Sequence, residues 1–147
     1  MVFRKNQFRS QNQGFNLRRI VYACLACGWH TTEGKVPVCP ECKIGDHLQH
    51  FDSYREFLRH QTLKMLASVG QISQLEIQPR FPITILDVHG QPHKGCTYVA
   101  DFKYLDATGQ VVVEDCKPKS VQGQTDVFKL KARLFQAAYG LPVTIVG

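Results

Sequence analysis

The sequence predicts an α/β domain preceded by a small, separately braced unit, and three observations carry that prediction. Cys24-Leu-Ala-Cys27 and Cys39-Pro-Glu-Cys42 form two C-x2-C pairs separated by eleven residues. Helical patterns near 53–68 and 126–139 enclose a run of strand patterns. Within that run, Tyr98-Val-Ala-Asp101-Phe and Val111-Val-Val-Glu-Asp115-Cys-Lys117 place charged residues at the ends of apolar rows.

The chain divides into three parts. Residues 1–20 carry Arg4, Lys5, Arg9, Arg18 and Arg19 with no acidic residue and no sustained apolar periodicity. Such a stretch is either a basic arm that neutralises phosphates or a solvated tail. Residues 21–47 hold the two cysteine pairs. Each pair presents two thiolates from one tight turn, with Gly28 and Pro40 suited to the turns. Together Cys24, Cys27, Cys39 and Cys42 complete a tetrahedral four-sulfur site, the pattern of a zinc ribbon. With four protein ligands the Zn2+ is structural. Tyr22, Trp29 and Val38 are candidates to pack around it, and His30 and His47 are reserve ligands. A redox C-x2-C motif fits less well, because no thioredoxin-like βαβ pattern surrounds these cysteines.

Residues 48–147 read as the α/β domain. Ser53 followed by Glu56 forms a capping-box pattern that opens a helix through about Ser68. Phe57, Leu58, Met65, Leu66 and Val69 supply its apolar stripe, and Gly70 ends it. Strands follow near 72–78 and 81–87, interrupted by Pro79 and Arg80, and these two segments are candidates for one bent strand. Gly90 and Gly95 around His93 suggest a flexible loop. Strands near 97–105 and 110–117 are joined across Asp106-Ala-Thr-Gly109. A second helix runs from about Asp126 to Tyr139, stopped by Gly140, and Val143–Val146 closes the order α-β-β-β-β-α-β.

Alternation along a strand puts Val111, Val113, Asp115 and Lys117 on one side and Glu114 and Cys116 on the other. Charges that end an apolar row are costly to bury unless they are paired or bind a metal. Two carboxylates with a nearby ammonium suit a divalent cation, Mg2+ or Mn2+, and an activated water. That is the chemistry of phosphodiester cleavage; the plain alternative is a surface ion pair. Glu114 is expected to be solvated or helix-facing. Cys96 and Cys116 lack paired spacing and read as structural thiols, and His60, His89 and His93 form no ligand arrangement with one another. Lys129 and Arg133 lie four residues apart on the second helix and suit phosphate contacts, as do Lys119 and Lys131. The net charge of +6 favours an anionic partner such as nucleic acid. No apolar run approaches a membrane span and no apolar signal segment opens the chain, so the cysteines are read in a reducing compartment.

From Phe51 to the end, the chain resembles the PD-(D/E)xK nuclease superfamily, specifically small phage-type endonucleases and Holliday-junction resolvases. The resemblance rests on Phe51-Asp-Ser-Tyr-Arg-Glu56, Gln78-Pro79, Tyr98-Val-Ala-Asp101-Phe, Glu114-Asp115-Cys-Lys117 and the helix with Lys129 and Lys131. The proline that gives the superfamily its name is Ala100 here. It implies a restriction-endonuclease-like core, a mixed sheet flanked by helices. It further implies that Glu56, Asp101, Asp115 and Lys117 are catalytic, with Asp101 and Asp115 holding Mg2+ or Mn2+ and Gln78 in support. Helix capping is the competing role for Glu56. The implied activity is DNA endonuclease hydrolysis, on branched DNA among other substrates, in the cytoplasm of a bacterial or phage-infected cell. Paired cuts would suit a homodimer. The competing reading is a non-catalytic nucleic-acid-binding or adaptor protein that uses the ribbon and a nuclease-like scaffold.

Overall fold

The computed structural model describes residues 18–118 and 124–147. The chain divides into two compact units, one ending at Tyr54 and one spanning Arg55–Gly147. Arg4, Lys5, Arg9 and Lys119 lie outside the described residues. Among the described residues no helix is long and apolar enough to cross a membrane.

The small unit is a three-stranded antiparallel sheet of order β2-β1-β3, formed by β1 (Val21–Cys24), β2 (His30–Thr31) and β3 (Leu48–Phe51). Val21, Ala23 and Phe51 bury the little core it has. Val21 pairs with Phe51 and Cys24 with Leu48, so the third strand comes from beyond the boundary at 47 that the cysteine pattern suggests. Each C-x2-C turn closes in the same way. Gly28 N–H donates to Cys24 O at 2.9 Å and Lys43 N–H donates to Cys39 O at 3.0 Å. Gly28 and Lys43 both have left-handed backbones, φ 82° and 62°. The second turn therefore holds a non-glycine residue in a conformation that costs about 1 kcal/mol, and Lys43 Nζ donates to Pro40 O at 2.5 Å across it. Val38 is exposed rather than packed over the cysteines.

The large unit is α/β with mixed pairing. It contains α1 (Tyr54–Ser68), β4 (Ser73–Ile77), β5 (Arg80–Leu86), β6 (Pro92–Val99), β7 (Phe102–Leu105), β8 (Val111–Cys116), α2 (Asp126–Tyr139) and β9 (Val143–Val146). A four-stranded sheet of order β4-β7-β8-β9 is antiparallel except for the parallel pair β8–β9, and β5–β6 form a separate two-stranded sheet. The expected strand over 97–105 is split at Ala100-Asp101, where the chain passes from one sheet to the other. The opposite crossing is at Gln78-Pro79, and Gln78 has φ 51°. Gln78 N–H donates to Asp101 O at 2.9 Å and Ala100 N–H to Pro79 O at 3.2 Å, so the ladder continues through the bend. Residues 73–105 are thus one long folded hairpin.

The loop expected around His93 is strand instead. Its tip is held by Asp87, whose Oδ1 accepts from His89 N–H at 2.8 Å and Gln91 N–H at 2.9 Å. Gly95 sits at a register shift opposite Ile83, where a Cβ would come within 2.4 Å of Ile83 O. A close backbone approach, rather than flexibility, requires this glycine.

Each face of the four-stranded sheet carries its own side-chain layer. On one, Phe135 of α2 packs with Ile83, Tyr98, Ala100 and Val113. On the other, His60 of α1 stacks on Phe102, with ring centroids 6.1 Å apart. The buried residues of α1 are Glu56, Phe57, His60 and Leu63. Leu58, Met65 and Val69 of the expected stripe are 45%, 70% and 68% exposed. At 3.6 residues per turn they fall on the helix side opposite Phe57, His60 and Leu63. The helix buries its mixed face because that face meets the charged row of β8. The second helix matches its sequence reading: Thr125 caps it by accepting from Phe128 N–H, and left-handed Gly140 closes it.

Candidate functional site

Strand β8 organises the site. Val113 belongs to the Phe135 cluster, and Asp115, two residues on, points the same way. The Asp115 carboxylate is 2% exposed and has one hydrogen-bond donor and one ion-pair partner. Tyr98 Oη donates to Oδ2 at 2.5 Å and Lys117 Nζ lies 2.8 Å from Oδ1. Burial, followed by Asp115, pushes the Tyr98 phenol far above its usual range, so it remains a donor. Lys117 sits one residue past the strand, where its N–H donates to Val146 O at 3.0 Å. Its ammonium also lies 5.5 Å from the centre of the Phe128 ring. Burial alone would lower the Lys117 pKa; Asp115, Asp101 and Glu56 outweigh it and hold the group above its ordinary value.

Asp101 enters from the sheet crossing. Its N–H donates to Glu114 O at 3.1 Å, and its Oδ2 accepts from Cys116 N–H at 2.6 Å. Burial raises the Asp101 carboxyl to about 7, with Asp115 and Glu56 adding to the shift and the Cys116 N–H and Lys117 opposing it. Glu56 in the first turn of α1 is 2% exposed, and Gln78 Nε2 donates to its Oε1 at 3.3 Å. Glu56, Gln78, Asp101, Asp115 and Lys117 thus share one electrostatic neighbourhood, although they are spread over sixty-two positions from 56 to 117.

An open cleft of about 300 Å³ adjoins Asp115 and Lys117, with Tyr98, Thr125, Phe128 and Lys131 among its lining residues. Of the α2 cations, Lys131 lines this cleft, whereas Lys129 and Arg133 do not. Lys129 instead lies 3.5 Å from Asp126 on its own helix, and Arg133 is exposed. Arg18 and Arg19 are exposed ahead of β1.

Four residues of this neighbourhood carry no sequence signal of their own. Glu114 is helix-facing and 2% exposed. Arg59 of α1 grips it with both arms of its guanidinium, Nε to Oε2 at 2.8 Å and Nη2 to Oε1 at 2.6 Å. Tyr104 Oη donates to the same Oε1 at 2.6 Å, and burial together with Glu114 pushes that phenol up to about 12. Tyr98 is the fourth. Its one available clue is alternation, which sets it on the opposite strand face from Val99.

The small unit gathers a different donor set. Cys24 and Cys42 Sγ are 3.5 Å apart, as are Cys27 and Cys39 Sγ. All four sulfurs lie within 4.8 Å of one another. A tetrahedron with metal–sulfur bonds of about 2.3 Å has edges of roughly 3.8 Å, so the cluster can hold a metal ion. The Cys24 thiol is held down to about 6, first by the Cys27 backbone N–H. Among the described residues this is the only group of three or more metal-ligating side chains gathered so tightly. His30, His47, Cys96 and Cys116 are not part of it.

No curated protein and no solved structure matches the chain. One family model, described as a protein of unknown function (DUF1064), matches residues 42–144. That span includes Glu56, Gln78, Asp101, Asp115 and Lys117 but only Cys42 of the four cysteines. The acidic neighbourhood on β8 therefore lies wholly within the matched region, most of the cysteine cluster lies ahead of it, and the chain belongs to the DUF1064 family.

Proposed function

We propose that residues 55–147 form a metal-dependent DNA endonuclease of the PD-(D/E)xK type that hydrolyses phosphodiester bonds. In the same reading, Cys24, Cys27, Cys39 and Cys42 hold a structural zinc ion. One observation carries the nuclease reading: three poorly solvated carboxylates and a lysine interact electrostatically around the C-terminal end of β8, with the Asp101 carboxyl raised to about 7. Like charges that resist ionising together fit a hard divalent cation, which relieves their repulsion through oxygen ligands. Asp101 and Asp115 would hold Mg2+ or Mn2+, with Glu56 completing the shell or orienting a water. Once bound, such an ion polarises phosphate oxygens and lowers the pKa of a coordinated water.

The protein groups have distinct tasks. Tyr98 fixes the Asp115 carboxylate through Oδ2. Gln78 does the same for Glu56. Lys117 stays charged, so it orients the nucleophile and offsets negative charge on the phosphate instead of taking a proton. Lys131 on the cleft wall suits a neighbouring phosphate.

The adaptor reading has one observation in its favour: the thiols are gathered within 4.8 Å, and the three carboxylates are not. Cleavage of labelled four-way junction, duplex and single-stranded DNA decides between them. The nuclease reading expects cutting that requires Mg2+ or Mn2+ and falls about 100-fold or more in Lys117→Ala. DNA binding without cutting in either metal supports the adaptor.

A further inference from the structure

We propose that Glu114, gripped by Arg59 and Tyr104, is the positioning residue of the acidic cluster and sets where Glu56 and Asp101 stand relative to Asp115. The inference rests on the nuclease reading. Its geometry begins with one residue that serves two directions. The Glu114 side chain receives Nε and Nη2 of Arg59 and the Tyr104 hydroxyl. The Glu114 carbonyl receives the Asp101 N–H at 3.1 Å. Its chain neighbour is Asp115, and the next N–H, that of Cys116, holds the Asp101 carboxylate at 2.6 Å.

Arg59 and Glu56 are three residues apart on α1, so both project from the same helix face. Fixing Arg59 therefore fixes the helix turn that carries Glu56. Gln78 Nε2 also donates to Glu56 Oε1 at 3.3 Å, and further attachments of α1 on that face include Phe57, Leu63 and the His60 ring on Phe102. The Gln78 bond is single and long, and the apolar contacts are non-directional, so together they constrain helix translation weakly. A two-armed guanidinium–carboxylate pair is directional in both distance and plane. Catalytic groups need placement within about 0.5 Å, which the pair supplies and apolar packing does not.

Stability gives a poor account of the same pair. A buried ion pair replaced by apolar residues of similar volume is commonly as stable or more so. An ion pair whose carboxylate is 2% exposed, on the reverse side of the site strand, is thus better explained by the geometry it imposes.

Two full-length, zinc-loaded variants test this. The double variant Arg59→Met with Glu114→Leu removes the pair without stranding a charge. Arg59→Lys keeps the charge and loses the fork, and it carries the test where the double variant fails to fold. Cleavage rate at saturating Mg2+ and amide exchange of the Asp101 and Cys116 N–H groups are measured together. The expected result is cleavage reduced about 100-fold, as for a 1 Å misplacement, with faster exchange at both amides and a near-wild-type melting temperature. Unchanged cleavage overturns the proposal whether or not exchange changes. Should wild-type protein bind DNA and cut nothing, the nuclease reading fails by itself. The exchange rates still decide the positioning role: faster exchange upholds it and unchanged exchange overturns it.

Discussion

Replacing Asp101 by asparagine should stabilise the protein at pH 8 in the absence of divalent cations. The Asp101 carboxyl stands at about 7 against an ordinary value of 3.8, first because of burial and then because of Asp115 and Glu56. At about 1.4 kcal/mol per pH unit, that difference corresponds to roughly 4 kcal/mol, an upper value for a group that retains some solvent contact. The sign follows from proton binding. Below about pH 4 the group is protonated in both folded and unfolded chains, and nothing is lost. Between about pH 4 and about pH 7 the folded protein holds a proton that the unfolded chain has released, so stability falls as pH rises. Above that range the full loss persists.

Asparagine removes the charge and keeps an oxygen that can accept from Cys116 N–H, so the variant escapes the loss. The assay is urea unfolding followed by far-UV circular dichroism at pH 5 and pH 8, with zinc retained. With slopes of about 1–3 kcal/mol per molar urea, a gain of about 3 kcal/mol raises the pH 8 midpoint by about 1–3 M. Millimolar Mg2+ should restore wild-type stability at pH 8 and leave the variant unchanged, because a ligand stabilises only the state that binds it. A variant no more stable than wild type at pH 8 without Mg2+ would refute the reasoning. So would equal Mg2+ stabilisation of both proteins.

Two further perturbations have defined outcomes. Cys39→Ser removes one thiolate of four; with zinc–thiolate sites contributing about 10–16 kcal/mol, one ligand accounts for about 3 kcal/mol, or roughly 100-fold in affinity. Competition with a coloured zinc chelator measures this, with wild-type protein releasing about one zinc per chain. Phe135→Ala opens a cavity beside Phe81, Tyr98 and Tyr139, whose ring centroids lie 4.8, 5.1 and 5.2 Å away. It should cost about 3–5 kcal/mol in unfolding free energy. Because Tyr98 also holds Asp115, DNA cleavage should fall further than the unfolded fraction explains.

What the sequence revealed depended on how local each signal was. The cysteine pairs, the ends of α2 and the shared face of Asp115 and Lys117 are set by spacings of a few residues, and the structure has them as read. The break at Ala100-Asp101 left no such trace, because a chain crossing between sheets keeps its extended backbone and only the pairing partner changes. The buried face of α1 was misread for a related reason. Its leucine, methionine and valine side chains outweigh Glu56 and His60 on an apolarity scale, but the helix faces a row containing Glu114. Arg59 and Glu114 are 55 positions apart, and no local period links them. Strand β3 had no local signal either, since it pairs with β1, which ends at Cys24 on the far side of the cysteine loops. Lys131 could not be told from Lys129 until the helix was set against the cleft.

The parallel pairing of β8 with β9 bears on how the site comes into being during synthesis. The hairpin from Ser73 to Leu105 and its neighbour β8 pair through short sequence separations, which close quickly. Lys117 waits for Val146, twenty-nine positions later and across the whole of α2. A nascent chain therefore gathers its carboxylates before its lysine is anchored. Strand β9 completes the anchoring of the lysine, and a chain lacking it would keep the acids together without the Val146 hold on the Lys117 backbone.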